Sequence, residues 1–409
     1  MDGEATRQSY EIVPAGRQQV SSVIIQTVRG VSLDAAMIEA YKITKPRILI
    51  ARPDHLGDVL LTIPAAAALR AAIPGVRISF LVTTEMGDVV RHCPEIDQTY
   101  TLPFPPLTAP PNPAKWTDIV SQNADRLRGR FDLIILSRPE DPWSGELAVA
   151  IAIPTRIGYA TPGTESFLTI ALPFNEEGHA VIQTLNLVKV AANCLGAAIA
   201  DDTWTPTAGS FVPTPLEEAI AEEIILEAPS VGTNPIVFQP GSGWPLKNWV
   251  TQRWGELAIH IRRRWGLIPL VPGGPGEDAL VAAVVEASDG CAYGLAGRLS
   301  VGALAALYRR ACVVIGIDSG PVHLAVMVGT PVIGLYGPLD PLKWGPWCPP
   351  DRHRIVRVPL SCSPCDCIFD PPCGIAIEPP CSTGVTVEAV LTAAEDFIEG
   401  SRWAPGQSK

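Results

Sequence analysis

Residues 313–338, V-V-I-G-I-D-S-G-P-V-H-L-A-V-M-V-G-T-P-V-I-G-L-Y-G-P, constrain the fold more than any other stretch of this chain. They read as a buried strand, a tight polar turn, a short apolar helix and a second buried strand. Two strands joined through a helix run parallel, and a parallel sheet needs helices on both faces. The pattern sets Asp318, Ser319, Gly320 and His323 where a strand's carboxyl end meets a helix's amino end. Unpaired backbone N–H groups and the helix dipole favour an anion there, so the turn reads as a phosphate site.

The same alternation of strand and helix occurs twice. The first run starts with the strand R-I-L-I-A (47–51), the turn R-P-D-H-L-G-D (52–58) and an apolar helix over 59–73 that contains Pro64. Further strands are expected at 76–83 and 132–137, with helices near 115–129, 143–152 and 180–196. Residues 205–234 hold several prolines and an acidic, helix-like stretch (216–227), and read as an interdomain connection. The second run has a strand at 236–240, the loop G-S-G-W-P-L-K-N-W (241–249) and a helix over 251–265. A strand and turn follow over 267–278, then helices at 278–287 and 300–310. The expected fold class is therefore α/β, with two doubly wound domains over 46–208 and 235–384, a crevice between them and a last helix at 385–400. Residues 1–45 read as an N-terminal extension with one helix near 17–43.

A chain of 409 residues suits two domains of roughly 150–200 residues each. Its apolar content of 47% is that of a globular protein, and no uninterrupted apolar run reaches the ~18 residues of a membrane-spanning helix. The formal charge of −11 argues against general nucleic-acid binding, which depends on clustered Lys and Arg. The small basic groups at Arg126, Arg128 and Arg130, and at Arg262, Arg263 and Arg264, read as solvated helix faces. The N-terminus lacks the pattern of a secretory signal, so a cytoplasmic location is expected. Of ten cysteines, five fall in the Pro-rich segment 362–381; Cys93, Cys194, Cys291 and Cys312 read as small core residues.

Three loops carry chemistry. Asp58 lies at a helix start, where the dipole would stabilise its carboxylate and lower its pKa; it reads either as a helix cap or as a functional acid. Lys247 follows Gly241-Ser242-Gly243, whose glycines permit close backbone approach to a ligand while Ser242 offers a hydroxyl. Its charge suits a diphosphate, against the alternative of a surface lysine. Glu277, in G-G-P-G-E-D, is placed either to accept hydrogen bonds from ribose or to begin the next helix as a first-turn acid. Trp249 reads as core.

The arrangement R-P-D-H-L-G-D, then P-G-S-G-W-P-L-K-N-W, then D-S-G-P-V-H-L-A with G-T-P-V-I-G-L-Y-G-P, resembles glycosyltransferase family 9, the lipopolysaccharide heptosyltransferases. The resemblance implies a GT-B architecture of two Rossmann-like domains, and transfer with inversion and no catalytic metal or other cofactor. By motif position, Gly57 and Asp58 match the family's first loop, with Asp58 as general base. Lys247 matches the lysine on the donor diphosphate, with Ser242 beside it. Asp318 matches the acid near the donor sugar hydroxyls, and Ser319, Gly320 and His323 match the phosphate-binding turn. Glu277 is carried over with them as donor-binding.

The implied partners are a nucleoside-diphosphate sugar, ADP-heptose for this family, and a glycolipid or protein acceptor reached at the inner membrane surface. Some related enzymes glycosylate proteins and hold iron in a C-terminal cysteine cluster. Here Cys362 and Cys365 have C-x-x-C spacing, and Cys367, Cys373 and Cys381 offer the remaining thiolates. The set Cys362, Cys365, Cys373 and Cys381 reads as a structural Zn or Fe site, against reduced thiols in a packed loop. Two other functions fit the same fold expectation: a sugar-nucleotide epimerase, and a non-catalytic partner that uses the cysteine segment for assembly.

Overall fold

The computed structural model describes residues 11–13, 45–105, 113–200, 209–229, 232 and 234–402. The helix expected near 17–43 lies outside them. The chain divides into two compact units, one of residues 18–210 and the other of residues 1–17 with 211–409. Strand β1 (Glu11–Val13) belongs to the second unit and is taken up with it.

The first unit holds strands β2 (Arg47–Ala51), β3 (Arg77–Thr83), β4 (Gln98–Leu102), β5 (Leu133–Leu136), β6 (Thr155–Ala160) and β7 (Ile170–Pro173). They pair in the order β4-β3-β2-β5-β6-β7, all parallel. The chain thus adds strands outward from β2 in one direction, then returns to add them in the other. This is the Rossmann order, and its reversal falls between β2 and β5.

The helices are α1 (Leu56–Ala72), α2 (Gly87–Arg91), α3 (Pro113–Leu127), α4 (Pro142–Ala150) and α5 (Ala180–Cys194). Helix α1 packs on α5. Leu49, Ala51, Leu81, Ile134 and Leu136 form one core with Trp116 and Leu127 of α3 and Leu147 of α4. Alternate strand residues therefore serve two helical layers. Helix α1 starts three residues earlier than the apolar run suggested, which places Pro64 in mid-helix.

Strands β4, β6 and β7 escape the sequence reading for physical reasons. Gln98–Leu102 is a half-exposed edge strand without an apolar run. Ile170–Pro173 is the opposite edge and ends in the proline that an edge tolerates. Thr155–Ala160 contains Gly158, where a Cβ would stand 2.9 Å from Leu168 and 3.2 Å from Leu136. What looks like a strand breaker is there to make room.

The second unit repeats the plan. Its helices are α6 (Pro215–Glu227), α7 (Thr251–Trp265), α8 (Asp278–Ala287), α9 (Val301–Arg310), α10 (Gly320–Met327), α11 (Pro341–Trp344), α12 (Pro380–Thr383) and α13 (Val387–Arg402). Its strands β8 (Ile236–Gln239), β9 (Leu270–Gly273), β10 (Tyr293–Ala296), β11 (Val313–Ile317), β12 (Val332–Leu335) and β13 (His353–Arg357) pair in parallel as β10-β9-β8-β11-β12-β13. Again the order reverses next to the first strand, between β8 and β11. Beyond β13, β1 adds an antiparallel edge, with Glu11 opposite Arg357, so a piece of the N-terminal extension completes this sheet.

The acidic stretch read as a connection is α6, a part of the second unit that packs on α9. A capping box of Thr214 and Glu217 starts it, and Glu218 pairs with Arg309 and Arg310. The arginines at 262–264 are largely engaged: Arg264 pairs with Glu395 and lies over the Trp265 ring, while Arg262 donates to the Gly266 carbonyl. Trp249 is core, 5.0 Å from Trp254 between ring centres, and its indole N–H donates to the Val385 carbonyl. Among the described residues, no helix is long and apolar enough to cross a membrane.

Candidate active site

In each unit the predicted residues gather where the strand order reverses, the place at which an open parallel sheet leaves room for a ligand between diverging loops. In the first unit, the loop after β2 carries Arg52, Asp54 and His55, then Gly57 and Asp58 in the opening turn of α1. Beside it, the loop after β5 carries Ser137, Arg138 and Asp141. Asp58 is not the cap of α1, because His55 holds that position. Its carboxylate accepts from Arg52 Nη2 at 2.9 Å. Arg52 Nη1 donates to the Ser137 carbonyl at 2.7 Å, and its Nε lies 3.3 Å from Asp54.

The lowered pKa expected for Asp58 from the helix dipole is corrected by this arrangement. Burial and the neighbouring Asp54 carboxylate push Asp58 up, and only Arg52 and His55 oppose them. Asp54 goes the other way, to about 2, because Arg52, His55 and Arg138 outweigh its burial. Two adjacent carboxylates are thereby split, with Asp58 the more basic. Ligand atoms of Asp54, His55 and Asp58 lie within 4.8 Å of one another. The Arg52 guanidinium contacts both carboxylates and already supplies the cation that such a cluster requires.

In the second unit, the loop after β8 meets the turn after β11. Lys247 ends a single turn of 3₁₀ helix (Pro245–Lys247) and extends its Nζ to 2.8 Å from Asp318. Both side chains are about nine-tenths buried, so Lys247 is not a surface lysine. Ser319 is the N-cap residue of α10; its hydroxyl donates to the Ile317 carbonyl and accepts no N–H from the helix. The first turn of α10 thus begins without a side-chain cap; Pro321 has no N–H and the Val322 N–H donates to the Ser319 carbonyl at 3.1 Å, so the N–H groups of Ser319 and Gly320 are the ones left for an anion. His323 is buried in this helix; burial lowers its pKa to about 4 and its Nδ1 has no hydrogen-bond partner. A neutral imidazole is therefore held beside Lys247 and Asp318.

Ser242 and Glu277 shape their loops. The Ser242 hydroxyl donates to the Trp244 carbonyl and accepts from the Trp244 N–H. Glu277 is the N-cap residue of α8, and its carboxylate accepts from the Gly274 N–H at 2.8 Å. It is packed against Gly241, where a Cβ would come 2.0 Å from Glu277 Oε1, whereas Gly243 faces open space. Gly241 thus makes room for the Glu277 carboxylate of a neighbouring loop. Gly241→Ala is expected to dislodge the Glu277 carboxylate from the Gly274 N–H and cost about 0.5–1.5 kcal/mol in stability, the worth of one hydrogen bond, measured by denaturant unfolding. Gly243→Ala should cost much less.

The cysteine segment folds back on this loop. Cys362, Cys365, Cys373 and Cys381 together line one cavity of about 50 Å³, closed by Leu246 and prolines including Pro338 and Pro380. All four thiols are free. Cys367 is not in the lining; its thiol donates to the Asp370 carbonyl at 3.0 Å. Burial pushes the Cys381 thiol up, and Cys365 and Cys362 add to the effect, so a cation among them would reverse a standing electrostatic cost. Four thiols around one small cavity fit a tetrahedral ion in number and type. No three of these sulfurs lie within 4.8 Å of one another among the described residues, so an ion would draw them closer. The Ser382 hydroxyl donates to the Leu246 carbonyl, and the Phe369 ring meets Trp244 edge-on at 4.8 Å. The segment thereby buttresses the turn that carries Lys247.

The sequence reading missed Arg52, Asp54, Arg138 and Asp141. Arg52 and Asp54 stand inside the R-P-D-H-L-G-D turn, and a charged residue directly after a buried strand is their signal. Arg138 and Asp141 become visible only once β5 is known to lie beside β2.

The fold is that of a GT-B glycosyltransferase. The family model of glycosyltransferase family 9 (heptosyltransferase) matches residues 122–371, more than half of the chain, and the chain belongs to this family. Among curated proteins, lipopolysaccharide heptosyltransferase 3 of Escherichia coli is 28% identical over 300 residues, covering 71% of this chain and 83% of the relative. Lipopolysaccharide heptosyltransferase 1 of Pseudomonas aeruginosa is 23% identical over 342 residues, covering 80% and 88%. Among solved structures, a glycosyl transferase family 9 protein from Veillonella parvula superposes with a TM-score of 0.70 at 23% identity, covering 87% of this chain and 97% of that one. The E. coli heptosyltransferase WaaC with ADP gives 0.62 at 20% identity, covering 86% and 99%. The expected α/β fold with two Rossmann-like domains is borne out, as is the glycosyltransferase class.

Proposed function

We propose that this glycosyltransferase moves a heptose from ADP-heptose to a hydroxyl of a lipopolysaccharide core acceptor, with inversion at the anomeric carbon. One observation carries the reading: the two strand-order reversals bear complementary chemistry, a basic carboxylate in one unit and a buried cation beside a helix start in the other. Curated relatives named as lipopolysaccharide heptosyltransferases support the substrate class.

In this mechanism the second unit receives the donor. A departing nucleoside diphosphate develops negative charge, which is stabilised by partners already in place. Lys247, released from Asp318, meets the diphosphate, and the N–H groups at the start of α10 receive a phosphate. Asp318 is then free to accept hydrogen bonds from the sugar hydroxyls, and Glu277 from ribose. His323, neutral and buried, donates or accepts a hydrogen bond there without adding charge. Asp58 takes the proton from the acceptor hydroxyl as it attacks the face of the anomeric carbon opposite the leaving group. A lipid-linked acceptor would bring the enzyme to the cytoplasmic face of the inner membrane as a peripheral protein.

Incubation with ADP-heptose, UDP-sugars or GDP-sugars and heptose-deficient lipopolysaccharide tests the reading. Product is expected only with ADP-heptose, as a mass increase of one heptose on the lipopolysaccharide. Transfer to a polypeptide instead would make the enzyme a protein heptosyltransferase, and an isomerised sugar formed from donor alone would make it an epimerase.

Cys362, Cys365, Cys373 and Cys381 are proposed to hold a structural Zn or Fe ion that takes no part in the transfer. When bound, the ion would cross-link the segment that supports Leu246 and Lys247. Elemental analysis of purified protein is expected to find close to one ion per chain, and chelation to lower the melting temperature. A metal-free protein with unchanged stability would remove the site.

A further inference from the structure

The assignment of Asp58 as general base, on which this inference rests, raises a physical problem. A recessed carboxylate next to another carboxylate resists ionisation, yet a base is useful only when ionised. The groups around Asp58 are Arg52 at the end of β2, Asp54 and His55 in the following loop, and, beyond Asp54, Arg138 and Asp141 after β5. Arg52 is the one whose geometry is over-determined. Its side chain is 10% exposed, and its two Nη groups are held by hydrogen bonds to the Ser137 carbonyl at 2.7 Å and to Asp58 Oδ1 at 2.9 Å, while Asp54 Oδ2 lies in ion-pair range, 3.3 Å from an Nε that makes no hydrogen bond. Ser137 is itself fixed, its hydroxyl donating to the Ala51 carbonyl at 2.7 Å. The guanidinium therefore spans the ends of β2 and β5 and turns one Nη toward Asp58.

The geometry points to Arg52 as a positioning residue for transfer: clamped between the ends of β2 and β5, it holds the Asp58 carboxylate in one orientation and as an anion while the acceptor hydroxyl arrives. A lysine could supply the charge but not the fork, because it cannot donate in a fixed plane to the Ser137 carbonyl and the Asp58 carboxylate at once. If Arg52 served only to neutralise Asp54, the titration of Asp58 would be largely indifferent to it.

The test compares wild type, Arg52→Met, Arg52→Lys and Asp58→Asn. Carboxyl ¹³C resonances of Asp-labelled protein are followed through a pH titration, with Asp58 assigned by its disappearance in Asp58→Asn. In Arg52→Met the Asp58 midpoint is expected to rise by roughly 1–3 pH units, the effect of removing an opposite charge at this distance. With ADP-heptose and heptose-deficient lipopolysaccharide, the acid limb of kcat/KM should move by the same amount, while the Kd for ADP stays within about twofold. Arg52→Lys should return the midpoint toward wild type but leave kcat reduced. Should Arg52→Met fail to fold, Arg52→Gln carries the same expectation.

An Asp58 midpoint that does not move in a folded variant lacking the charge overturns the inference. So does an acid limb that stays in place while the midpoint moves. Failure of the underlying reading is separately visible: Asp58→Asn would then retain turnover whatever the titration shows.

Discussion

Asp58→Asn is expected to lower the transfer rate by roughly 10²–10⁴, the range that positioned proton transfer contributes, with the Kd for ADP almost unchanged. The substitution keeps the size of the side chain and a hydrogen-bond acceptor for Arg52, so lost turnover would report lost basicity and not lost structure. Wild-type activity should depend on pH in a matching way. Burial and Asp54 raise the pKa of Asp58, and a general base works only when deprotonated. Activity should therefore fall as pH drops through a midpoint raised from the ordinary aspartate value. Rate measurement across the acid range in wild type and variant checks both statements. An Asp58→Asn enzyme with full turnover would remove the base.

The second large effect belongs to Lys247. Lys247→Ala removes the proposed diphosphate partner and leaves Asp318 buried without its 2.8 Å counter-charge. Truncating one member of a buried charge pair costs about 2–5 kcal/mol, so ADP affinity should fall by at least about 30-fold, as measured by calorimetry. Stability should fall as well, because an unpaired buried carboxylate is costly. The two losses separate in the double variant Lys247→Ala, Asp318→Asn. Neutralising Asp318 should restore the melting temperature, while ADP binding stays weak. Recovery of ADP affinity in the double variant would show that Lys247 serves the fold alone.

Much of the architecture is legible in the chain because it rests on local patterns. Apolar runs such as Val313–Ile317 and Arg47–Ala51 are strands in the structure, and helices at 251–265 and 278–287 have the bounds that periodicity suggests. Edge strands carry little of that signal: Gln98–Leu102 is half exposed and polar, so no run of apolar residues announces it. The acidic helix Pro215–Glu227 was recognisable as a helix, but its place was not, since the ion pairs of Glu218 with Arg309 and Arg310 span about ninety residues. The same holds for the cysteine segment. Spacing nominated four cysteines, whereas only folding could bring Cys362 and Cys365 to the cavity wall shared with Cys373 and Cys381.

By itself the sequence determined that two parallel sheets would form and which residues would stand in the turns at their carboxyl ends, because strand, turn and helix propensities act over a few residues. Tertiary structure decided what those residues meet. Placing β5 beside β2 brings Ser137, Arg138 and Asp141 to the Asp58 loop, and placing β11 beside β8 brings Asp318 to Lys247. It also reversed the sign of the shift at Asp58. The helix dipole is a local property and favours the anion, whereas desolvation and the Asp54 charge depend on everything packed around the carboxylate and outweigh it.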